Sequence, residues 1–560
     1  MRLKTEWKNR MMQMHRRFGK KGGNQMKTWK NFLISSALVF STAAAPFSVF
    51  AESADPSEDY IHIPATDEIS TMDPQMTTEY YCVPLNIFDR LVECETVDGE
   101  ATIVPGLASD WTVSDDGLVY TFHLEQGVMF SNGEELTADD VVYTIDRMMN
   151  PDSQAVNTDF FNMIKGAAAR YDGEADSVEG VKAIDDYTVE ITLEYPFAPF
   201  LANLATPPAS ILNREACEAA GDQFGIDPAL TAGTGPFIAE SWEVNDRIVL
   251  VRNDDYFKGP AGAAGIEMIQ VPDEETQKLM FENGELDIVD LSAFTSQLSF
   301  FLDNDTYKDN LVYGTEAGEW FYAFNCSKAP MDDVVVRKAI QMSIDRQLIL
   351  DQLYSGTGHL VNSFLPDGFA GSYESDDTIT YDPEAAKKML EDAGYTLPVE
   401  LEITQTTDNA DALMINQIVQ SMLEQAGFKV TITQMDESAY YATRKEGNLG
   451  MTRSVWWADY NDADNFIYTF FSSKNSAVRS ICYDNQEIQD LIDEARTMTD
   501  EEERNAAYKK IDTAIVMEDA AILPLFQMDH IVAVQDWVKG YEVAWNGWTD
   551  CTYYSVTLER

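Results

Sequence analysis

The chain has 560 residues, 45% of them hydrophobic and 11% aromatic, with a formal net charge of -56. That length supplies core material for about two to four domains or lobes, and the aromatic content excludes a largely disordered chain. The acidity excludes a nucleic-acid partner, because a phosphate backbone would be repelled.

The charge is uneven. Residues 1–51 hold ten of the Lys and Arg residues and a single acid, Glu6. From Met26 onward, Lys27 and Lys30 precede an apolar run from Phe32 to Phe40, and small residues then lead to Val49-Phe50-Ala51. This is a secretory signal pattern. The true start is left open between Met1 and Met26, as is cleavage of the signal against its retention as an anchor. No cysteine follows the apolar run, so no lipid-modified N-terminus is expected. The mature protein is expected outside the cytoplasmic membrane, in the periplasm or at the cell surface. Six cysteines (Cys82, Cys94, Cys217, Cys326, Cys482, Cys551) are too scattered for a zinc site, and their spacing assigns no disulfide.

Val83 to Leu91 reads as a short helix. Leu118, Tyr120, Phe122 and Leu124 alternate as one face of a strand that follows the turn Asp115-Asp116-Gly117. Thr137 is placed to cap a helix, with Asp140 as its capping-box partner. Val141, Val142, Ile145, Met148 and Met149 form that helix's apolar side, and Asn150-Pro151 ends it. Val336 to Leu350 reads as one amphipathic helix, with Val336, Ala339, Ile340, Ser343 and Ile344 on one face. Leu449 to Trp457 reads as a strand that delivers Arg453, Trp456 and Trp457 into a segment rich in Asp and Asn. Asp459 follows the two tryptophans. A carboxylate beside large rings is poorly solvated and needs either backbone N–H groups or a cation, which could be a side chain, a metal or a ligand. Alternating strands and helices make the chain α/β.

Two runs, G-L-A-S-D-W-T-V-S-D-D-G at 106–117 and T-A-D-D-V-V-Y-T-I-D-R at 137–147, belong to a longer block. That block resembles the signature of the family 5 extracellular solute-binding proteins, the oligopeptide and dipeptide receptors of ABC importers. T-A-G-T-G-P-F at 231–237, V-R-K-A-I-Q-M-S-I-D-R at 336–346 and Y-D-P at 381–383 continue the resemblance in order. It spans nearly everything after residue 55. Glu125 departs from it, where the family often has a basic residue. The resemblance implies a two-lobed periplasmic-binding-protein fold, class II-like, with an extra subdomain at about 104–230. Lobe one would comprise 52–318 and 527–560, and lobe two 319–526. Hinge strands would cross near Gly318–Asn325 and Leu523–Met528.

The function implied is capture of short peptides for an ABC permease, whose transmembrane subunits work with cytoplasmic ATPase subunits. The protein is expected to be a monomer without cofactor or metal. W-W-A-D-Y-N at 456–461 matches the family's W-x-A-D-Y segment, so Asp459 is expected to hold the peptide's α-ammonium group. Arg453 matches an arginine that meets a short peptide's carboxylate; its competing role is pairing with a nearby acid. Trp456, Trp457 and Tyr460 are expected around the ligand, with Trp320, Tyr322 and Asn325 at the hinge and Thr77 to Tyr81 as a cleft loop. If the strand stayed extended, Arg453 and Asp459 would stand roughly 20 Å apart, so the chain must bend between them. No G-x-S-x-G, H-E-x-x-H, Walker A or G-x-G-x-x-G pattern is present, which argues against an enzyme. The alternatives are a same-fold receptor for a nickel chelate, haem or an oligosaccharide, and a sensor or chaperone-like use of the same pocket.

Overall fold

The computed structural model describes residues 59–560 except 67–68, 79, 98–99, 293, 295, 408 and 547–551. The basic head, the signal segment and Cys551 lie outside the described residues. Among the described residues no helix is long and apolar enough to cross a membrane.

The first half of the chain builds two four-stranded sheets. One joins Val119–Leu124 to Ala108–Val113 and Thr188–Thr192, with Val181–Asp185 at its edge. The period-2 reading holds: Tyr120, Phe122 and Leu124 enter the core. The helix Ala138–Met149 shares that core. The Thr137 amide and hydroxyl both donate to Asp140 Oδ2, at 3.0 and 3.2 Å, which starts the helix where the capping pattern placed it. Val142 is only partly buried, at the rim of the apolar stripe.

The helix expected over 83–91 is shorter, Cys82–Ile87, because Phe88 is extended. The extended chain brings Asp89 to the Thr234 hydroxyl and the Tyr256 phenol, both at 2.8 Å. The glycines of 231–237 have a packing cause. A Cβ on Gly233 would lie 1.9 Å from the Ile87 carbonyl oxygen, and one on Gly235 would lie 2.5 Å from the Ile87 carbonyl carbon. The second sheet runs Tyr60–Ala65, Gly265–Gln270, Arg247–Arg252, Phe237–Glu243.

The second half is organised by β1 (Leu311–Thr315), β2 (Gly318–Phe324), β3 (Val399–Thr406), β4 (Phe428–Met435), β5 (Met451–Trp457), β6 (Ile522–Phe526) and β7 (Asp529–Val534). The five-stranded sheet has the order β4-β3-β5-β2-β6; β3 is parallel to β4 and β5, while β2 is antiparallel to β5 and β6. β1 and β7 instead belong to a three-stranded sheet with Ile288–Asp290. The chain therefore passes between these sheets twice, after β1 and after β6. Gln527 ties the two crossings, donating from Nε2 to the carbonyls of Glu316 (2.7 Å) and Asp367 (3.2 Å).

The single helix expected over 336–350 is two: α1 (Val334–Ser343) and α2 (Arg346–Leu353). Ile344 is extended, and Asp345 opens α2 by accepting the Leu348 amide at 3.0 Å. A local cap has overridden a continuous apolar stripe, since Ser343 and Ile344 stay buried as expected. Asp345→Ala is expected to lower stability by about 0.5–2 kcal/mol, read from a denaturant midpoint. The helix Pro383–Asp392 starts at Asp382, as the Y-D-P motif implied.

Candidate ligand cleft

Parallel β3, β4 and β5 all end at one edge of the central sheet. The helices α3 (Ala410–Gln425) and α4 (Glu437–Lys445) begin there. Carboxyl edges of this kind leave a crevice where neighbouring connections part to opposite faces. An open cleft of about 510 Å³ lies there, lined by Thr406, Asn409, Ala410, Asp411, Glu437 and Tyr441.

Three aspartates follow β5, and their partners separate them. Asp462 makes a two-pronged pair with Arg504, at 2.7 and 2.5 Å. Asp464 takes Arg496 Nε at 2.9 Å and the Tyr460 hydroxyl at 3.0 Å. Asp459 has no such arginine among the described residues. Its Oδ2 accepts Asn465 Nδ2 at 3.0 Å, while Asn465 Oδ1 accepts the Asp459 amide at 3.1 Å and Trp456 Nε1 at 2.9 Å. Asn465 therefore aims the carboxylate and fixes the indole together.

Asp459 is exposed by surface area, yet its carboxyl is pushed up from the ordinary value, chiefly by burial, against the pull of Asn465 and the Arg479 charge. Its carboxylate is held by a side-chain amide, not by the backbone N–H groups that the sequence left open as partners.

Arg453 stands opposite Tyr322 in the β2–β5 register, on the face that also carries Trp320. Its guanidinium lies 4.5 Å from the Trp320 ring centre, and its Nε is buried without a hydrogen-bond partner. The nearby acid that could have paired with it is absent from ion-pairing distance among the described residues. Trp456 points to the opposite face, stacked edge-on to Phe470 at 5.3 Å. Trp457 is 36% exposed, and its indole N–H donates to the Glu316 carboxyl. The ring lies across Gly318, where a Cβ would sit 2.7 Å from Trp457 Cδ1. Gly318→Ala is expected to displace Trp457, which an altered tryptophan emission maximum would register.

Three of the expected ligand contacts have partners within the protein. Tyr322 is 0% exposed and donates its hydroxyl to Asn416 Oδ1 at 2.5 Å. Asn325 is also 0% exposed, with Nδ2 bridging the carbonyls of Gly447 (2.9 Å) and Leu449 (2.7 Å). Both are core residues of a central strand and its end. The hydroxyl of Tyr460 is occupied by Asp464, and its ring meets Phe160 edge-on at 6.3 Å. It joins the Asp-rich segment to the first half of the chain, as does Asn461 Nδ2 donating to the Ala101 carbonyl at 3.1 Å. Within the suggested cleft loop, Thr77 accepts from Tyr81 and Asn157 through its carbonyl. The sequence reading missed Asn465, whose signal was its place one residue inside the helix Asp464–Phe471, and Tyr441 on α4.

A mixed α/β molecule has a polar crevice at the carboxyl edge of its central sheet and, just beyond β5, a carboxylate aimed by Asn465 with no arginine at ion-pairing distance among the described residues. The family model for the bacterial extracellular solute-binding proteins, family 5, matches residues 102–477, and the chain belongs to that family. It is 29% identical to the dipeptide-binding protein of Escherichia coli, over 83% of this chain and 88% of that one. It is 28% identical to heme-binding protein A of Haemophilus influenzae, over 86% and 88% of the two chains. Among solved structures, the periplasmic binding protein DppA of Helicobacter pylori, in complex with the peptide STSA, superposes with a TM-score of 0.71. The two are 26% identical, with 90% of this chain and 98% of that one covered. These neighbours share the periplasmic-binding-protein fold.

Proposed function

We propose that this protein is the extracytoplasmic receptor of an ABC importer, capturing short peptides and passing them to the permease. It would be exported by its N-terminal signal and act as a monomer on transmembrane subunits driven by cytoplasmic ATPase subunits. Lobe one would be 52–318 with 527–560, including the subdomain at about 104–230. Lobe two, 319–526, would close on it about the two chain crossings. The observation that carries the reading is the contrast among three neighbouring aspartates. Asp462 and Asp464 hold arginines, whereas Asp459 is aimed by Asn465, has no arginine at ion-pairing distance among the described residues, and would keep its charge for a cation from outside. A peptide α-ammonium supplies that cation at one end of an extended ligand. Arg453 on Trp320, together with Trp456 and Trp457, would flank the bound chain.

A charge-assisted hydrogen bond at Asp459 is worth about 1.5–3 kcal/mol, so acetylating the peptide or replacing Asp459 with Asn should weaken binding roughly 10- to 150-fold. Titration calorimetry with free and acetylated tripeptides, on protein refolded free of co-purified ligand, reads both effects. Binding indifferent to acetylation would remove Asp459 as anchor. Hemin, a nickel chelate or an oligosaccharide bound in place of any peptide would assign another solute. The pH dependence has a definite sign: only the ionised carboxylate attracts an ammonium. Because burial raises this group, affinity should fall on acidification sooner than an ordinary surface aspartate would cause.

A further inference from the structure

The spacing of the six cysteines assigns no pair, yet the fold brings two of them together. Cys326 follows the end of β2, and Cys482 lies beyond β5 and the Asp459 segment, with α1 to α4 between the two in sequence. The Cys326 amide donates to the Ile481 carbonyl at 2.7 Å. Standard backbone dimensions then hold the Cα atoms of Cys326 and Cys482 to no more than about 7 Å, and a disulfide spans about 4.4–6.8 Å between Cα atoms. The side chains share one corner. The Cys482 thiol donates to the Gly447 carbonyl at 3.8 Å, and the same oxygen accepts Asn325 Nδ2 at 2.9 Å. Cys326 is the next residue after that asparagine, and its thiol donates back to the Phe324 carbonyl at 3.6 Å.

Cys482 is held in place by its own turn. The Ser476 carbonyl accepts the amides of Ile481 (3.0 Å) and Cys482 (3.1 Å), and the Ser476 hydroxyl oxygen accepts the Tyr483 amide at 2.6 Å. These bonds keep Cys482 at φ 50°, a left-handed conformation that a residue with a Cβ rarely adopts. Both cysteines are partly exposed, so an oxidant can reach them. Cys82 and Cys217 differ: they are core residues whose thiols burial pushes up to about 12, the condition of an inert cysteine. Burial also pushes the Cys326 thiol up, to about 11, against the pull of the Arg337 charge, which suits it to the second step of an exchange.

We propose that Cys326 and Cys482 are the two halves of a disulfide that staples the end of β2 to the segment 476–483. It closes when the exported chain meets a disulfide-bearing oxidant. The thiolate of Cys482 attacks a sulfur of the oxidant, whose S–S bond breaks and whose other sulfur leaves as a thiolate. Cys326 then attacks Cys482 in this mixed disulfide and releases the rest of the oxidant. One S–S bond has formed in the protein and one has broken in the oxidant, which has taken up two electrons and two protons as thiols. Both cysteines fall within the proposed lobe two, so the bridge stiffens that lobe and does not lock the lobes open or shut. The proposal rests on the export part of the reading above and not on peptide binding.

The test traps free thiols by alkylation in the full mature protein as recovered from cells, then maps its peptides without reduction. Cys326 and Cys482 should escape alkylation and appear in one cross-linked peptide that a reductant splits. Wild type carries this test, so it does not depend on any variant folding. Oxidised wild type should also melt at a higher temperature than Cys326→Ser/Cys482→Ser, and reduction should remove that advantage. Full alkylation of both cysteines, in protein from cells and in purified folded protein incubated with oxidised glutathione, overturns the proposal. A cross-link from either one to a third cysteine overturns it as well. A melting temperature indifferent to reduction of the bridge removes its role as a staple. If oxidised glutathione closes the bridge in purified protein while the protein from cells is reduced, the pairing stands and the export reading fails.

Discussion

Arg504→Met is expected to lower folding stability by about 3–5 kcal/mol, read as a large drop in the urea midpoint. Arg504 and Asp462 are both nearly buried, and their two parallel hydrogen bonds leave Asp462 without any other cation when the guanidinium is removed. Arg504 also donates from Nε to the Ala495 carbonyl at 3.1 Å, so the backbone before the helix Glu501–Thr513 loses a partner as well. Most of the loss should come from the stranded charge rather than from the contact. The double variant Asp462→Asn/Arg504→Met should therefore recover part of the stability, and a double-mutant cycle measures that share. If Arg504→Met alone changes stability by under about 1 kcal/mol, water reaches this pair and the segment after β5 is not clamped as described.

Mild acidification is expected to stabilise the protein. Burial pushes the carboxyl of Glu316 up to about 7 and that of Asp512 up to about 6. Burial also raises Asp89, with Glu93 adding to it, and holds Glu319 well above its ordinary value. Each of these groups binds its proton more tightly folded than unfolded. Its stabilising contribution is therefore fully present below the unfolded value and is lost as pH rises through the folded one. Between about pH 4.5 and 7, each titrating group should lower stability by up to about 1.4 kcal/mol per pH unit. Chemical denaturation at a series of pH values should show stability rising from pH 8 towards pH 5, with protons released on unfolding.

Glu316→Gln should flatten the upper part of that slope while keeping an acceptor for the Trp457 indole. Below about pH 4 the trend reverses. Asp287, although burial works against it, is held below its usual value by His62, Trp537 and Arg560, and its contribution disappears as it protonates. A protein that only lost stability between pH 8 and 5 would contradict the buried, protonated carboxyls at the chain crossing.

Much of the local structure was legible in the sequence because it is encoded within a few residues. The strand Val119–Leu124 follows from alternation, and the helix Ala138–Met149 from Thr137, Asp140 and Pro151. Asp345 also carried a local signal, an N-cap inside an apparently continuous helix, but the unbroken apolar face of Val336 to Ile344 masked it. Asp459 stood out through its motif, yet the motif alone does not distinguish it from Asp462 and Asp464. That distinction needs Arg496, just past the end of one helix, and Arg504, inside the next, which lie 32 and 42 residues further along the chain from the aspartates they bind. Tyr322 and Asn325 looked like hinge-lining residues because they sit at a strand crossing. Only the sheet order, which places β2 between β5 and β6, buries them.

The sequence by itself determined the family and the identity of the candidate anchor, since both lie in contiguous residue patterns. Tertiary structure decided which charges are already neutralised, that Arg453 rests on Trp320, and that Arg479 lies over Trp456. Pairing of charges is set by distance in space, and a folded chain brings together groups whose separation in sequence carries no signal.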